Sequence, residues 1–226
     1  MTPSSVTLYF FTFLLAFCSL FYELVYAQVL SVCLGGTKMQ YLTIIALFTF
    51  ALGMGSIVFG RVKLRYPIRK TFFLIECLLT LLGSTGPFFI TWLLQPGGME
   101  GTFGLKVALS YFTIFLIGFL SGFEIPCLFA MGKDNKGKIL AMDYVGMLSA
   151  SILFPLLFLP KIGTAPGALV IAACNGYALV WLRCDKPRLV TTMLLSLVVT
   201  ASIALVLMNV EGLNNILSNL YLGEVK

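Results

Sequence analysis

Apolar residues dominate this chain in seven long runs, which short polar or Gly- and Pro-rich segments separate. The runs cover residues 6–33, 41–60, 71–94, 105–130, 140–160, 166–182 and 189–209. Each is close to the roughly 20 apolar residues that an α-helix needs to cross a bilayer. Lipid offers no partner to backbone amides and carbonyls, so spanning segments of this kind are helical. The pattern predicts an all-α polytopic membrane protein with seven transmembrane helices.

Three short motifs return at a nearly constant offset. The sequence Phe-Tyr-Glu-Leu around Glu23 returns as Gly-Phe-Glu-Ile around Glu124, 101 residues later. The other two pairs are Met39-Gln40-Tyr41 with Met142-Asp143-Tyr144 and Pro67…Glu76 with Pro166…Asn175. Each copy holds three helices, an odd number, so the copies must lie in opposite orientations in the membrane. We predict a 3+3 inverted repeat, with repeat one at about 6–94 and repeat two at about 105–182. An extra helix at 189–209 and a short amphipathic tail at 210–226 follow.

Basic residues alternate strictly between the two sides of the predicted bundle. Eleven of the 15 Lys and Arg residues follow helices two, four and six, and four lie elsewhere. Cytoplasmic loops carry the excess of Lys and Arg. We therefore predict that the N-terminus lies on the cytoplasmic side of the membrane and that the C-terminus and its tail lie outside.

Thiol labelling in sealed cells tests this topology. A Cys introduced at Gly98, in an outer loop, is expected to react with a membrane-impermeant reagent. A variant that keeps only Cys184, in an inner loop, is expected to resist it. The reversed labelling pattern would contradict both the orientation and the inverted repeat.

Composition excludes whole classes of function. The chain is 59% hydrophobic and only 11% charged, which excludes a soluble enzyme and a nucleic-acid-binding module. It has no His, so His bases and imidazole metal ligands are absent. Its six Cys form no CxxC pair, and neither a GxGxxG nor a GxxxxGK[ST] motif is present. We expect no catalysis by these residues, no cofactor, no metal and no nucleic-acid partner.

Intramembrane polar residues are the candidates for a site. A buried ionisable group costs about 2.5–3.5 kcal/mol on insertion scales, so it usually has a function or a partner. Glu23 and Glu124 are related by the repeat, and Pro126 frees a backbone carbonyl near Gly122. Asp143 lies near the depth of Glu124, where it is either part of the site or a helix N-terminal acid favoured by the helix dipole. The predicted site consists of Glu23, Glu124, Pro126, Asp143 and Asn175, although Asn175 also suits a purely structural hydrogen bond between helices.

Several motifs together resemble a known family. They are Tyr22-Glu23-Leu24, Gly53-Met54-Gly55-Ser56, Gly122-Phe123-Glu124-Ile125-Pro126, Asp143-Tyr144-Val145-Gly146, Phe154-Pro155, Leu159-Pro160 with Gly163, and Asn175. Over helices one to six the chain resembles the membrane domain of bacterial membrane-bound spermidine synthase-like proteins, a major-facilitator-like region fused to an aminopropyltransferase. In that family a soluble catalytic domain usually follows the helices, whereas this sequence ends at Lys226. The resemblance thus implies a chain without that domain, and the family's catalytic residues are not carried over.

Two functions remain open at this point. The first is a non-catalytic integral membrane subunit that scaffolds or regulates a membrane protein complex. Its partners beyond the lipid bilayer would be a second copy, other membrane subunits or a separate aminopropyltransferase. The alternative is a secondary transporter or permease for a small cation or a polyamine, which the inverted repeat and the paired acids favour.

Overall fold

The computed structural model describes residues 5–61, 67–95, 102–132, 136–183, 203 and 205–222. Nearly all of these residues are helical. The helices are α1 (Ser5–Leu34), α2 (Thr37–Arg61), α3 (Ile68–Leu93), α4 (Phe103–Ser121), α5 (Glu124–Met131), α6 (Lys136–Leu153), a π-helical segment (Phe154–Phe158), α7 (Leu159–Lys161), α8 (Thr164–Arg183) and α9 (Val210–Leu222).

Five helical stretches in the described part are long and apolar enough to cross a membrane. They are Thr7–Leu34, Thr37–Arg61, Ile68–Leu93, Phe103–Met131 and Lys136–Lys161, and a shorter apolar helix covers Thr164–Gly176. These stretches coincide with the first five predicted spans, and α8 covers the predicted sixth. The predicted seventh span, 189–209, lies mostly outside the described residues. The chain is therefore an all-α, multi-pass membrane protein.

Two predicted spans are less regular than the sequence pattern suggested. The fourth, expected as one helix over 105–130, is broken between α4 and α5 at Gly122 and Phe123. Pro126 has no amide hydrogen to donate to the Gly122 carbonyl, four residues earlier. That carbonyl instead accepts a hydrogen bond from Ser56 Oγ of α2 at 2.7 Å. The fifth span widens into the π-helical segment around Pro155 for the same backbone reason.

Consecutive spans run in alternating directions. One end of the bundle, which we call the near end, contains the starts of α1, α3 and α6 and the end of α5. An apolar cluster there includes Leu8, Phe72, Leu128 and Ile139. At the opposite, far end, Tyr41 Oη of α2 donates a hydrogen bond to Gln28 Oε1 of α1. The closest packing joins α1 to α6, α2 to α4 and α3 to α8, and α1 also contacts α8.

Glycines allow α2 and α4 to approach closely. A Cβ added at Gly55 would collide with the carbonyl oxygen of Phe119, and one added at Gly118 would lie 2.9 Å from the carbonyl oxygen of Phe48. Gly122 lies equally close to the α2 backbone. The Gly118–Gly122 pair of the sequence therefore serves packing within the bundle, as small residues do in membrane helices.

Large apolar side chains cover much of the outer surface of the bundle. Exposed examples on four different spans are Phe50, Leu81, Phe112, Leu148 and Leu156. A water-soluble protein rarely shows continuous apolar surface of this kind, whereas a bilayer solvates it. The surface thus independently indicates a lipid environment.

The predicted amphipathic tail forms α9, and it packs against α3 and α8 of its own chain. Asn214 Nδ2 donates a hydrogen bond of 3.0 Å to the Ile162 carbonyl. The turn at Gly163, with φ of +88°, brings the backbone against the Asn214 side chain. Leu217 is half-buried and Ile216 stays exposed. Part of the apolar face of the tail is therefore covered by this chain itself.

Candidate functional site

A hydrogen-bonded pair of polar side chains lies in the interior between α3 and α8. Asn175 Nδ2 donates to Glu76 Oε2 at 3.2 Å and to Thr80 Oγ1 at 3.1 Å. Glu76 and Asn175 are each only 1% exposed. Their sequence separation of 99 residues is the offset that the repeat assigns to this pair of positions. Two repeat-related residues therefore contact each other directly.

Three buried oxygens around this pair have no hydrogen-bond partner. They are Glu76 Oε1, Asn175 Oδ1 and the Tyr22 hydroxyl. Tyr22 belongs to α1 and is close enough to Glu76 to interact with it electrostatically. Buried polar atoms in folded proteins are nearly always hydrogen-bonded, so unpaired ones indicate a proton, water or ion that completes them.

A second buried acid lies at the break between α4 and α5. Glu124 begins α5, is 6% exposed, and shares a hydrogen bond with the Ser121 side chain. Ser121 in turn accepts a hydrogen bond of 2.9 Å from Ser19 Oγ of α1. Glu124 interacts electrostatically with Glu76, so two carboxyl groups share one low-dielectric region.

Asp143 extends this group towards the surface. It lies on α6, is half-buried, and interacts electrostatically with Glu124. We call Glu76, Glu124 and Asp143 the acid cluster. Three different helices contribute to it, and it runs from the fully buried Glu76 to the partly exposed Asp143.

Apolar residues enclose the acid cluster on both sides. Phe72 and Leu128, one turn from Glu76 and Glu124, belong to the apolar cluster at the near end. Ile75 and Leu79, which flank Glu76 along α3, belong to the main core of the bundle. The buried carboxyl groups therefore lie where the two apolar clusters meet. These apolar surroundings lower the local dielectric constant and strengthen the electrostatic interactions between the carboxyl groups.

The structure joins only some of the predicted site residues. Glu124, Asp143 and Asn175 belong to one region, and the carbonyl freed by Pro126 is taken by Ser56 rather than left for a cation. Glu23 is buried on α1, one turn beyond Ser19 towards the far end. It is not among the groups that interact electrostatically with Glu124.

Glu76 is the residue that sequence reasoning left out of the site. It has the same spacing from Pro67 as Asn175 has from Pro166, so the repeat already related the two positions. In the predicted inverted repeat, a residue close to the axis would meet its own counterpart, and that signal would have made Glu76 a candidate beside Asn175.

A separate cavity of about 310 Å³ opens at the far end. Its lining includes the polar residues Gln28, Thr91, Asn214, Ser218 and Tyr221. It is bounded by α1, α3, the start of α8 and α9, and the acid cluster is not part of its lining. Among the residues that the structure describes, none with a charged side chain lines the far-end cavity.

The chain is similar to bacterial polyamine aminopropyltransferases. It is 32% identical over 178 residues to polyamine aminopropyltransferase 2 of Ralstonia nicotianae, covering 75% of this chain and 33% of that protein. It is 31% identical over 180 residues to the enzyme of Leptospira interrogans, covering 77% and 34%. With polyamine aminopropyltransferase 1 of Streptomyces coelicolor the identity is 29% over 178 residues, covering 74% and 31%.

No protein family profile matches the chain. No solved structure matches it either. The chain spans about a third of the length of the curated relatives that it matches. Because apolar membrane helices make up most of this chain, the shared third is membrane-helical. The resemblance read from the sequence motifs is thus confirmed at this level: the chain is related to the membrane-helical portion of polyamine aminopropyltransferases.

Proposed function

We propose that this chain is a membrane domain that binds an amine cation of the polyamine class inside its helix bundle. The observation that carries the proposal is the acid cluster, which gathers Glu76, Glu124 and Asp143 from three helices. Carboxyl groups are rarely kept inside a membrane bundle without a function or a partner. Within this cluster, each of the two buried glutamates has another acid as its neighbour. A positive charge is therefore needed to balance their negative charges.

The chemistry of polyamines fits a row of carboxyl groups. A polyamine carries several ammonium groups along a flexible chain, and each one donates hydrogen bonds to oxygen acceptors, as a Lys side chain does. The relatives are named for their action on polyamines. A membrane portion that binds the same class of cation would supply or sense polyamine next to an aminopropyltransferase.

The predicted 3+3 inverted repeat supports a binding role. In this repeat α1 corresponds to the α4–α5 span, α2 to α6, and α3 to α8. The packing of α1 on α6 then corresponds to the packing of α4 on α2, and the packing of α3 on α8 corresponds to itself. One hydrogen bond joins two residues that the repeat relates, Glu76 and Asn175, and another joins Ser19 to Ser121, one residue beyond its counterpart. Substrate and ion sites of inverted-repeat transporters lie at the interface between the repeats. We propose that the acid cluster lies at such an interface, with seven spans and a cytoplasmic near end.

A scaffold for other subunits is the second candidate. It is favoured by the exposed apolar residues of α9, such as Ile216 and Leu222, which the described part of the chain leaves uncovered. In this alternative a second copy, another membrane subunit or a separate aminopropyltransferase covers them. Burial of each side chain would contribute about 1.5–3 kcal/mol. The scaffold role does not account for the acid cluster, so we rank it below cation binding.

Spermidine binding tests the proposal. Titration of the detergent-solubilised protein by calorimetry is expected to give saturable binding. Glu124→Gln removes a negative charge from the cluster and should weaken the binding about 10–100-fold, since a hydrogen bond to a charged group contributes about 1.5–3 kcal/mol.

Glu211→Gln provides the matched control. It removes one carboxylate from the exposed start of α9, outside the bundle interior. Its affinity for spermidine should equal that of the wild type. Folded wild-type protein that binds no spermidine, or equal losses in the two variants, would contradict the proposed function.

A further inference from the structure

The unpaired oxygens of the Glu76–Asn175 pair call for one hydrogen atom. Asn175 uses its amide nitrogen to donate to Glu76 Oε2, which leaves its own oxygen, Oδ1, without a donor. The other carboxyl oxygen, Glu76 Oε1, also lacks a partner. A carboxylate only accepts hydrogen bonds, whereas a protonated carboxyl group both donates and accepts. A single proton on Glu76 Oε1 gives this pair the second hydrogen-bond donor that it lacks.

Charge balance leads to the same requirement. Glu76 is fully buried, and its charged neighbour in the acid cluster is another acid, Glu124. Two carboxylates in one low-dielectric region repel each other strongly. Either a proton or a bound cation has to compensate them.

We infer that Glu76 is the proton-binding residue of this domain and exchanges its proton for the amine cation. This inference rests on the proposed function. With no cation bound, Glu76 is a neutral acid that pairs with Asn175. When an ammonium group enters at Glu124 and Asp143, the Glu76 O–H bond breaks, the electron pair stays on the carboxylate, and the proton leaves to bulk water. The bound ammonium then takes over the positive charge that the proton supplied.

Other titratable groups face Glu76 in the described part of the chain. Tyr22 and Cys18 approach from α1, and Glu124 and Cys127 approach from α5. Asp143 faces Glu124 from α6, and Cys174 of α8 interacts with Cys18. Of these, Glu124 and Asp143 are also carboxylic acids, so the test has to separate them from Glu76.

The pH dependence of spermidine affinity makes that separation. If binding releases one proton, the Kd of the wild type should fall about tenfold for each pH unit over the range in which Glu76 is protonated in the free protein and ionised in the complex. Glu76→Gln places a permanently neutral group there, so its Kd should stay constant over the same range. At the acidic limit the two proteins should bind spermidine equally, because Gln imitates the protonated acid.

Glu76→Gln is expected to fold, because its amide both donates to and accepts from Asn175. Infrared difference spectra of the wild type provide a measurement that needs no variant. Addition of spermidine should remove a carboxylic-acid carbonyl band and add carboxylate bands. Binding without a pH slope, a slope that persists in Glu76→Gln, or unchanged carboxyl bands would overturn this inference and leave the proposed function standing. No binding at any pH would instead refute the proposed function.

Discussion

Gly55→Ala is expected to lower the thermal stability of the bundle, whereas Gly53→Ala, two residues earlier on the same helix, is expected to raise it slightly. Alanine favours a helix over glycine by about 1 kcal/mol, and both positions gain this preference. At Gly55 the new methyl group meets the Phe119 carbonyl of α4, which cannot move without its helix. At Gly53 no atom of the described residues lies within 4 Å of a new methyl group.

Overpacking at Gly55 should cost about 1–3 kcal/mol and outweigh the gain in helix preference. Thermal unfolding in detergent, followed by circular dichroism, measures both variants under the same conditions. Gly53→Ala serves as the control for the substitution itself. Equal melting temperatures for the two variants would show that α2 and α4 do not pack as closely as the structure describes.

Asn175→Leu is the second substitution with a large expected effect. It removes the amide that pairs with Glu76 and leaves a fully buried carboxyl group without its partner. Leaving such a group unsatisfied costs about 1–3 kcal/mol. The variant should therefore unfold at a clearly lower temperature than the wild type.

The double variant Glu76→Leu with Asn175→Leu separates loss of the pair from loss of packing volume. Replacement of both partners of a buried polar pair by apolar residues is often neutral or stabilising. The double variant should therefore be more stable than Asn175→Leu alone, although it lacks the acid proposed to bind the proton. If the two substitutions add without coupling, the residues do not interact in the folded protein.

The backbone architecture was the most predictable feature of this chain. The long apolar runs predicted the first five spans and the sixth helix, because the requirement for about 20 apolar residues is local and leaves a direct trace in composition. The breaks in the fourth and fifth spans lie at Pro126 and Pro155, which cannot donate a backbone hydrogen bond, so the cause of each break is also local. The seventh span and the topology remain predictions.

The acid cluster was less predictable, because its members lie far apart in the chain. The repeat related Glu23 to Glu124 and Glu76 to Asn175, but it did not say which of these pairs meet. The structure joins Glu76 with Asn175 and adds Asp143 beside Glu124, whereas Glu23 lies farther along α1. A repeat fixes which positions are equivalent, and only their distance from its axis decides whether equivalent residues make contact.

Helix α9 and the carbonyl freed by Pro126 show the same difference between what the sequence determines and what the tertiary structure decides. The sequence alone determined that α9 is amphipathic, since the spacing of its apolar residues is a local property. Only the tertiary structure decided that α9 packs on α3 and α8 through Asn214, and that Ser56 takes the carbonyl freed by Pro126. Hydropathy and proline chemistry act within a few residues, whereas the partner of a polar group depends on which helices pack side by side.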